Sequence, residues 1–250
     1  MWTDPAVAAI FTAKTLTVLW LGAFAGGFAS GAAGFAFGIV ASAFWLHALD
    51  PLHATMLIVS GGMLIQFGTI VPMRRDIDVK RLAPFAIAGL AGIPIGVWLL
   101  VRIDSHALKI ALGIFLAVYG VYALATPRLP RIAGGGRIAD GAIGFFGGVL
   151  GGIGGYSGVL PAIWCQLRGW SKEVSRAVYQ PFIIMAHIVT LALIGVVALD
   201  RSGVVLFLVA LPALMFGAFI GWRAYGRLDE TRFRQMFAAF LVVSGLILVL

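Results

Sequence analysis

The chain has a single cysteine, Cys165. An internal disulfide is therefore excluded, as are membrane thiol relays and haem-attachment proteins, which need paired thiols. Charge is equally scarce. Only 11% of the 250 residues are charged, and just ten are Asp or Glu. Those acids sit at the ends of apolar runs or between them, which leaves every long run acid-free, as hydrocarbon surroundings demand. Nucleotide-binding loops and metal-ligand clusters are also missing, which argues against an ATP-driven pump and leaves no cofactor or metal to expect. Met1 to Lys14 lack a basic n-region, and no A-x-A-like site follows a short apolar core. The first apolar run is expected to stay in the chain rather than be cleaved.

Apolar residues and glycine are abundant. Hydrophobic residues make up 61% of the chain, glycine occurs 33 times, and the mean hydropathy is +1.03. A soluble domain of this length needs more polar surface to stay dispersed. The reading is an all-α polytopic protein of the inner membrane, with the lipid bilayer as its surroundings. The net charge of +8 does not point to nucleic acid, because the 18 Lys and Arg residues stand in short segments between spans, where they set topology.

The apolar segments fall into two similar sets, repeat 1 over 1–125 and repeat 2 over 140–250, joined by a Pro/Gly/Arg-rich connector at 126–139. Each set opens with a glycine-rich stretch, Gly26-Gly27 to Gly38 and Gly147-Gly148 to Gly158. Each continues with an apolar run holding one central polar residue, Gln66 and then His187. Small residues four apart follow, Gly92/Gly96 and Gly217/Gly221, and then Asp104 and Asp229. Three runs per set have span length, roughly 18–23 residues. Thr15 to Leu46 is too long for one straight span and short for two, so the glycines at its centre suggest two half-helices joined at a broken tip.

Charge distinguishes the two topologies. If each glycine stretch crosses once, the basic residues divide nine against nine, which violates the positive-inside rule. If each is a hairpin, the repeats are inverted and fourteen basic residues face the cytoplasm. Only Lys14, Arg102, Lys109 and Arg201 then lie outside, and both termini are periplasmic. The expected fold is two inverted repeats, each a broken-helix hairpin plus three transmembrane helices, with about 8–10 membrane segments in all.

In such hairpins the returning half-helix starts near Phe35 and near Tyr156-Ser157. Its free N–H groups and positive dipole end then point inward, an anion site made from backbone. That fits a chain read as having no Lys or Arg in its membrane interior. The residues expected to hold the anion are Gly31, Gly34, Phe35 and Gln66 in the first repeat, with Gly154, Gly155, Tyr156, Ser157 and His187 in the second. The alternative role for the glycines is close helix packing through small-xxx-small spacing. His187 either binds the anion and relays a proton or makes one helix–helix hydrogen bond. Cys165 reads as a packing residue. Arg168, Lys172 and Arg176 read as orientation signals that could also draw anions inward.

Gly147-Gly148-Val149-Leu150-Gly151-Gly152-Ile153-Gly154-Gly155, with Gly158 and Pro161, resembles the glycine-rich signature of the TauE/SafE sulfite exporter family. Gly26-Gly27-Phe28-Ala29-Ser30-Gly31-Ala32-Ala33-Gly34-Phe35 resembles its first copy, and Asp50-Pro51-Leu52-His53-Ala54-Thr55 is similar to the loop and helix start that follow. The resemblance implies a permease for sulfite, sulfonates or related sulfur-containing organic anions. The second copy departs at Ser171-Lys172-Glu173, where the first has Asp-Pro. The partners expected are a small anion and protons, with self-association left open. Two rivals stand beside this reading. One is a passive anion channel. The other is a rhomboid-like protease using Gly155-Tyr156-Ser157-Gly158, with Ser157 as nucleophile and His187 as base.

Overall fold

The computed structural model describes residues 12–71, 74–102, 104–126, 131–198, 201–227 and 229–249. Met1 to Phe11, Arg128 and the last residue, to which parts of the sequence reading apply, lie outside the described residues. Every regular element among those described is a helix: α1 (Ala13–Ala33), α2 (Phe37–Trp45), α3 (Pro51–Ile70), α4 (Val79–Leu100), α5 (Ser105–Ala125), α6 (Gly136–Gly154), α7 (Val159–Leu167), α8 (Lys172–Ala198), α9 (Arg201–Tyr225) and α10 (Glu230–Val249). Six of them, α1, α3, α4, α8, α9 and α10, are long and apolar enough to cross a membrane.

The few acids explain where several helices begin. Asp50, Asp78 and Asp104 each accept two backbone N–H groups as the N-caps of α3, α4 and α5. An N-cap carboxylate satisfies donors that the first turn leaves open and lies favourably against the helix dipole. The same function keeps these residues at run ends, outside the hydrocarbon.

The glycine stretches differ from the expected pair of half-helices. α1 is 21 residues long and α6 is 19, while the returning arms α2 and α7 have 9 each. The hairpins are thus a long arm and a short arm. The helix continues because glycine and alanine at Gly22, Gly26 and Gly27 are used for packing rather than for breaking. A Cβ on Gly26 would lie 2.9 Å from the ring of Phe37, so the short arm lies directly on the long one. The returning arms also start two residues later than the sequence suggested.

The same glycines make the largest contacts, each pairing a helix from one part of the chain with a helix from the other. α1 packs along α9 in parallel: Gly27 and Gly31 meet the Leu214 and Ala218 carbonyls, and Gly217 and Gly221 meet those of Phe24 and Phe28. α4 packs along α6 in the same way, with Gly92, Gly96, Gly144, Gly148 and Gly152 set against opposing backbone. α5 lies antiparallel to α10, and α3 crosses α8 at the centre. Apolar side chains on α1, α2, α3 and α9 form one buried cluster, and those around α7, α8 and the tips form another.

Helix direction gathers the segments at 74–81, 131–137, 168–172, 223–227 and 229–232 at one end of the bundle, the basic end. Lys14, Arg102, Lys109 and Arg201 lie toward the opposite end, where Lys109 Nζ donates to the Leu46 carbonyl just past α2, at 2.8 Å.

Any side chain at the interhelical glycines drives a Cβ into a carbonyl. Gly148→Ala and Gly221→Ala are each expected to cost about 1–3 kcal/mol as overpacking. Gly68→Ala on α3, with open space around its Cα, should be neutral or stabilising. Thermal unfolding of the three variants in detergent checks this contrast.

Candidate functional site: two hairpin tips and a buried guanidinium

Each hairpin turns at a glycine in the left-handed region, Gly34 (φ 84, ψ 2) and Gly155 (φ 75, ψ 19). Only glycine takes that conformation without strain from a Cβ. The turn closes the tip's own N–H onto the preceding helix, Gly34 to Ser30 at 2.6 Å and Gly155 to Gly151 at 2.8 Å. The tip carbonyls need partners from elsewhere. Gln66 Nε2 donates to the Gly34 carbonyl at 2.6 Å, and His187 Nε2 lies 3.3 Å from the Gly155 carbonyl, donating to it when the proton sits on Nε2. Gln66 is 1% exposed and His187 3%. The two mid-span polar residues therefore hold the tips, each bonded to the break in its own part of the chain.

The tips also touch. A Cβ on Gly158 would lie 2.8 Å from Phe35 Cβ, and one on Gly38 would lie 2.9 Å from the Gly155 carbonyl. Gly34 pairs with Gln66 near the basic end of α3, whereas Gly155 packs on Ile58. Eight residues of helix separate those contacts, about 12 Å at 1.5 Å per residue. The hairpins pass one another rather than meeting end to end.

The remaining expected residues cluster here. Phe35 is buried edge-on against Tyr179, with ring centroids 5.9 Å apart. Gly154 leaves room for the ring of Tyr156, which would otherwise strike a Cβ. Gly31 sits one turn before the tip, against the Ala218 carbonyl. Ser157 is 0% exposed and its hydroxyl has no hydrogen-bond partner. No Ser157–His187 bond forms, and the Nε2 of His187 faces the Gly155 carbonyl. The geometry of a serine protease dyad is therefore absent from this pair.

The sequence reading placed no Lys or Arg in the membrane interior. Arg176, read from the sequence as a cation at the entrance to a span, is nonetheless buried in the protein. It lies in the second turn of α8, within an apolar span, and is 1% exposed. The apolar run read as starting at Ala177 in fact belongs to a helix that begins at Lys172, which carries Arg176 inward. Its Nη2 reaches the Gly31 carbonyl only at 3.5 Å, and Nε and Nη1 have no partner. The Tyr225 ring covers it, 4.0 Å from Cζ. Beside it Gln180, also fully buried, donates from Nε2 to Thr69 Oγ1 at 3.2 Å, and its Oε1 is unpaired. A Cβ on Gly34 would lie 2.8 Å from Arg176 Nε and 2.9 Å from Gln180 Nε2. A cavity of about 500 Å³, lined by Thr69, Arg176, Trp222, Arg223, Tyr225, Gly226 and Arg227, opens from this point toward the basic end. The signal in the sequence was the four-residue spacing of Arg168, Lys172 and Arg176, which puts the last of them deepest.

Gln66→Leu leaves the Gly34 carbonyl buried without a donor and is expected to cost about 1–3 kcal/mol. Ser157→Ala removes a hydroxyl that bonds nothing and should leave thermal unfolding unchanged. Melting of both variants beside wild type in detergent checks the pair.

Among known families, the model described as sulfite exporter TauE/SafE matches residues 19–248. Neither a curated protein nor a solved structure matches the chain. The matched span takes in both glycine hairpins, both tip-holding side chains and every helix from α1 to α10. Members of this family are transporters, not enzymes, in keeping with the missing Ser–His pair. With nearly its whole length matched and a membrane-spanning helical fold, the chain belongs to the TauE/SafE sulfite exporter family.

Proposed function

We propose that this membrane permease is a secondary transporter that carries sulfite, a sulfonate or a related small sulfur-containing organic anion across the inner membrane. One observation carries the reading: the two hairpin turns, each made at a left-handed glycine, touch through Phe35 and Gly158 and through Gly38 and Gly155, and each launches a short helix inside the bundle. The starts of α2 and α7, at Ala36 and Gly158, have no side-chain cap. The first N–H groups of a helix lack intrahelical partners, and the dipole makes that end positive. The α2 end offers an anion the N–H groups of its first turn, whereas at α7 Val159 donates to the Tyr156 carbonyl and Pro161 has no N–H, which leaves Leu160 as that end's donor. Gly31, Gly34, Phe35, Gln66, Gly154, Gly155, Tyr156, Ser157 and His187 form the walls and supports of this tip site, with the unpaired Ser157 hydroxyl as a further donor.

The topology of the proposal is two inverted repeats, 1–125 and 140–250. The helix directions support it, since α1 leaves from one end of the bundle and α6 from the other. With the basic end cytoplasmic, as the positive-inside rule requires, the termini are periplasmic. A membrane potential negative inside then drives an anion outward, so the direction proposed is export. His187 Nδ1 has no partner, which leaves that nitrogen open to a proton during the cycle.

The test is uptake of labelled sulfite and of methanesulfonate into proteoliposomes, with wild type beside Gly155→Leu and His187→Ala. Saturable wild-type uptake, abolished by Gly155→Leu, is expected. Added loss in His187→Ala when a proton gradient is imposed would bring in coupling. Wild-type flux equal to that of empty liposomes for both anions would defeat the sulfur-anion assignment, and flux that rises linearly without saturation would mark a channel.

A further inference from the structure

Arg176 breaks the likeness between the two tips. It stands eleven residues before His187 on α8, and eleven residues before Gln66 on α3 stands Thr55. A cation therefore lies beside the Gly34 tip, whereas the corresponding position in the first part of the chain holds a buried hydroxyl.

Among the described residues Arg176 makes no ion pair. The groups packed around it are the α1 tip from Gly31 to Gly34, Gln180 on its own helix, and Tyr225 of α9, with Thr69 of α3 reached through Gln180. Further out, Lys172, Arg223 and Arg227 add cations near the cavity, Glu173 lies 3.9 Å from Lys172, and Asp229 follows Arg227 by two residues and pairs with Arg232. Buried charges in proteins are paired, because burial without a counter-charge is unfavourable. Here no counter-charge is present among the described residues, two buried guanidinium nitrogens have no acceptor, and the residue lines a cavity. A guanidinium presents parallel N–H groups that match two oxygens of one oxyanion. Gln180 can serve the same ligand: reversing its amide frees the NH₂, with the Thr69 hydroxyl turning its proton from the Ile65 carbonyl to Oε1.

We propose that Arg176 anchors a second, charged oxyanion site, between the Gly34 tip and the basic end, with Gln180 and Thr69 beside it. The inference rests on the permease reading and makes this the loading site: an anion passes Arg223 and Arg227, is bound at Arg176, and is handed to the tips. The ligand class is a small sulfur oxyanion with at least two oxygens on sulfur, as in sulfite or a sulfonate.

The test uses the purified full chain in detergent, with binding of sulfite, methanesulfonate and inorganic phosphate followed by calorimetry and by anion-dependent thermal shift. Wild type is expected to bind sulfite or methanesulfonate. Arg176→Gln should weaken that binding about tenfold or more, as loss of a charge-assisted pair requires. Arg176→Lys should fall between the two, keeping charge but not the two-pronged geometry. In anion-free buffer Arg176→Gln should melt at or above wild type, because an uncompensated buried charge has been removed. Equal affinity in wild type and Arg176→Gln overturns the assignment. So does an Arg176→Gln that melts well below wild type without anion, which marks the guanidinium as a structural tie. Binding of phosphate alone overturns the ligand class. Wild type that transports sulfite with the same half-saturation as Arg176→Gln sinks this site while the permease reading stands; wild type that moves no anion at all sinks the permease reading itself.

Discussion

A helix that breaks inside a bilayer leaves carbonyls and N–H groups that lipid cannot satisfy, and the architecture is arranged around that constraint. Two breaks are present, at Gly34 and Gly155. Each is tolerated because a side chain one helix later donates to the exposed carbonyl, Gln66 for one and His187 for the other. Those side chains must lie at a fixed depth, which sets the register of α3 and α8 against the hairpins. The hairpins in turn need long arms lying close to their neighbours, which is why glycine recurs along α1, α4, α6 and α9. Backbone satisfaction, helix register and glycine content are thus parts of one solution.

Much of this was legible in the sequence, for definite reasons. Acid-free runs mark spans because ionised carboxylates are expelled from hydrocarbon. The pairing of Gln66 with His187 was visible because a polar residue in mid-span is rare enough to align two otherwise featureless helices. The glycine stretches announced breaks, yet they did not say where, since a glycine used for packing and one used for a left-handed turn look the same in one dimension. Gly26 and Gly27 pack, Gly34 turns, and only the three-dimensional neighbours separate them. The stretches read as two half-helices, whereas each has a long arm more than twice the length of the short one.

The candidate site was legible in part. The structure brings the expected tip residues into one neighbourhood, with Gln66 and His187 bonded to tip carbonyls; for His187 the sequence left an anion contact and a hydrogen bond between helices both open. Arg176 was missed because charge at the margin of an apolar run ordinarily belongs to the loop. Whether such a residue snorkels outward or is carried inward depends on what covers it. Here Tyr225, at the far end of another helix, does so, and sequence distance hides that contact. A helix start judged five residues too late was enough to turn a buried cation into an apparent topology signal.

The parallel pairs α1–α9 and α4–α6 each join helices from opposite sides of the connector, and they do so through backbone set into glycine grooves. The chain is therefore interleaved rather than divided into two lobes. Sliding one sequence half past the other would withdraw carbonyls from those grooves on both flanks at once. The mechanically coherent blocks cut across the order of the chain: α1, α2 and α3 share a packed interior with α9, and α4 keeps company with α6 and α8. A hinge sought at the connector would be sought in the wrong place. The two blocks meet instead at the central crossing of α3 over α8.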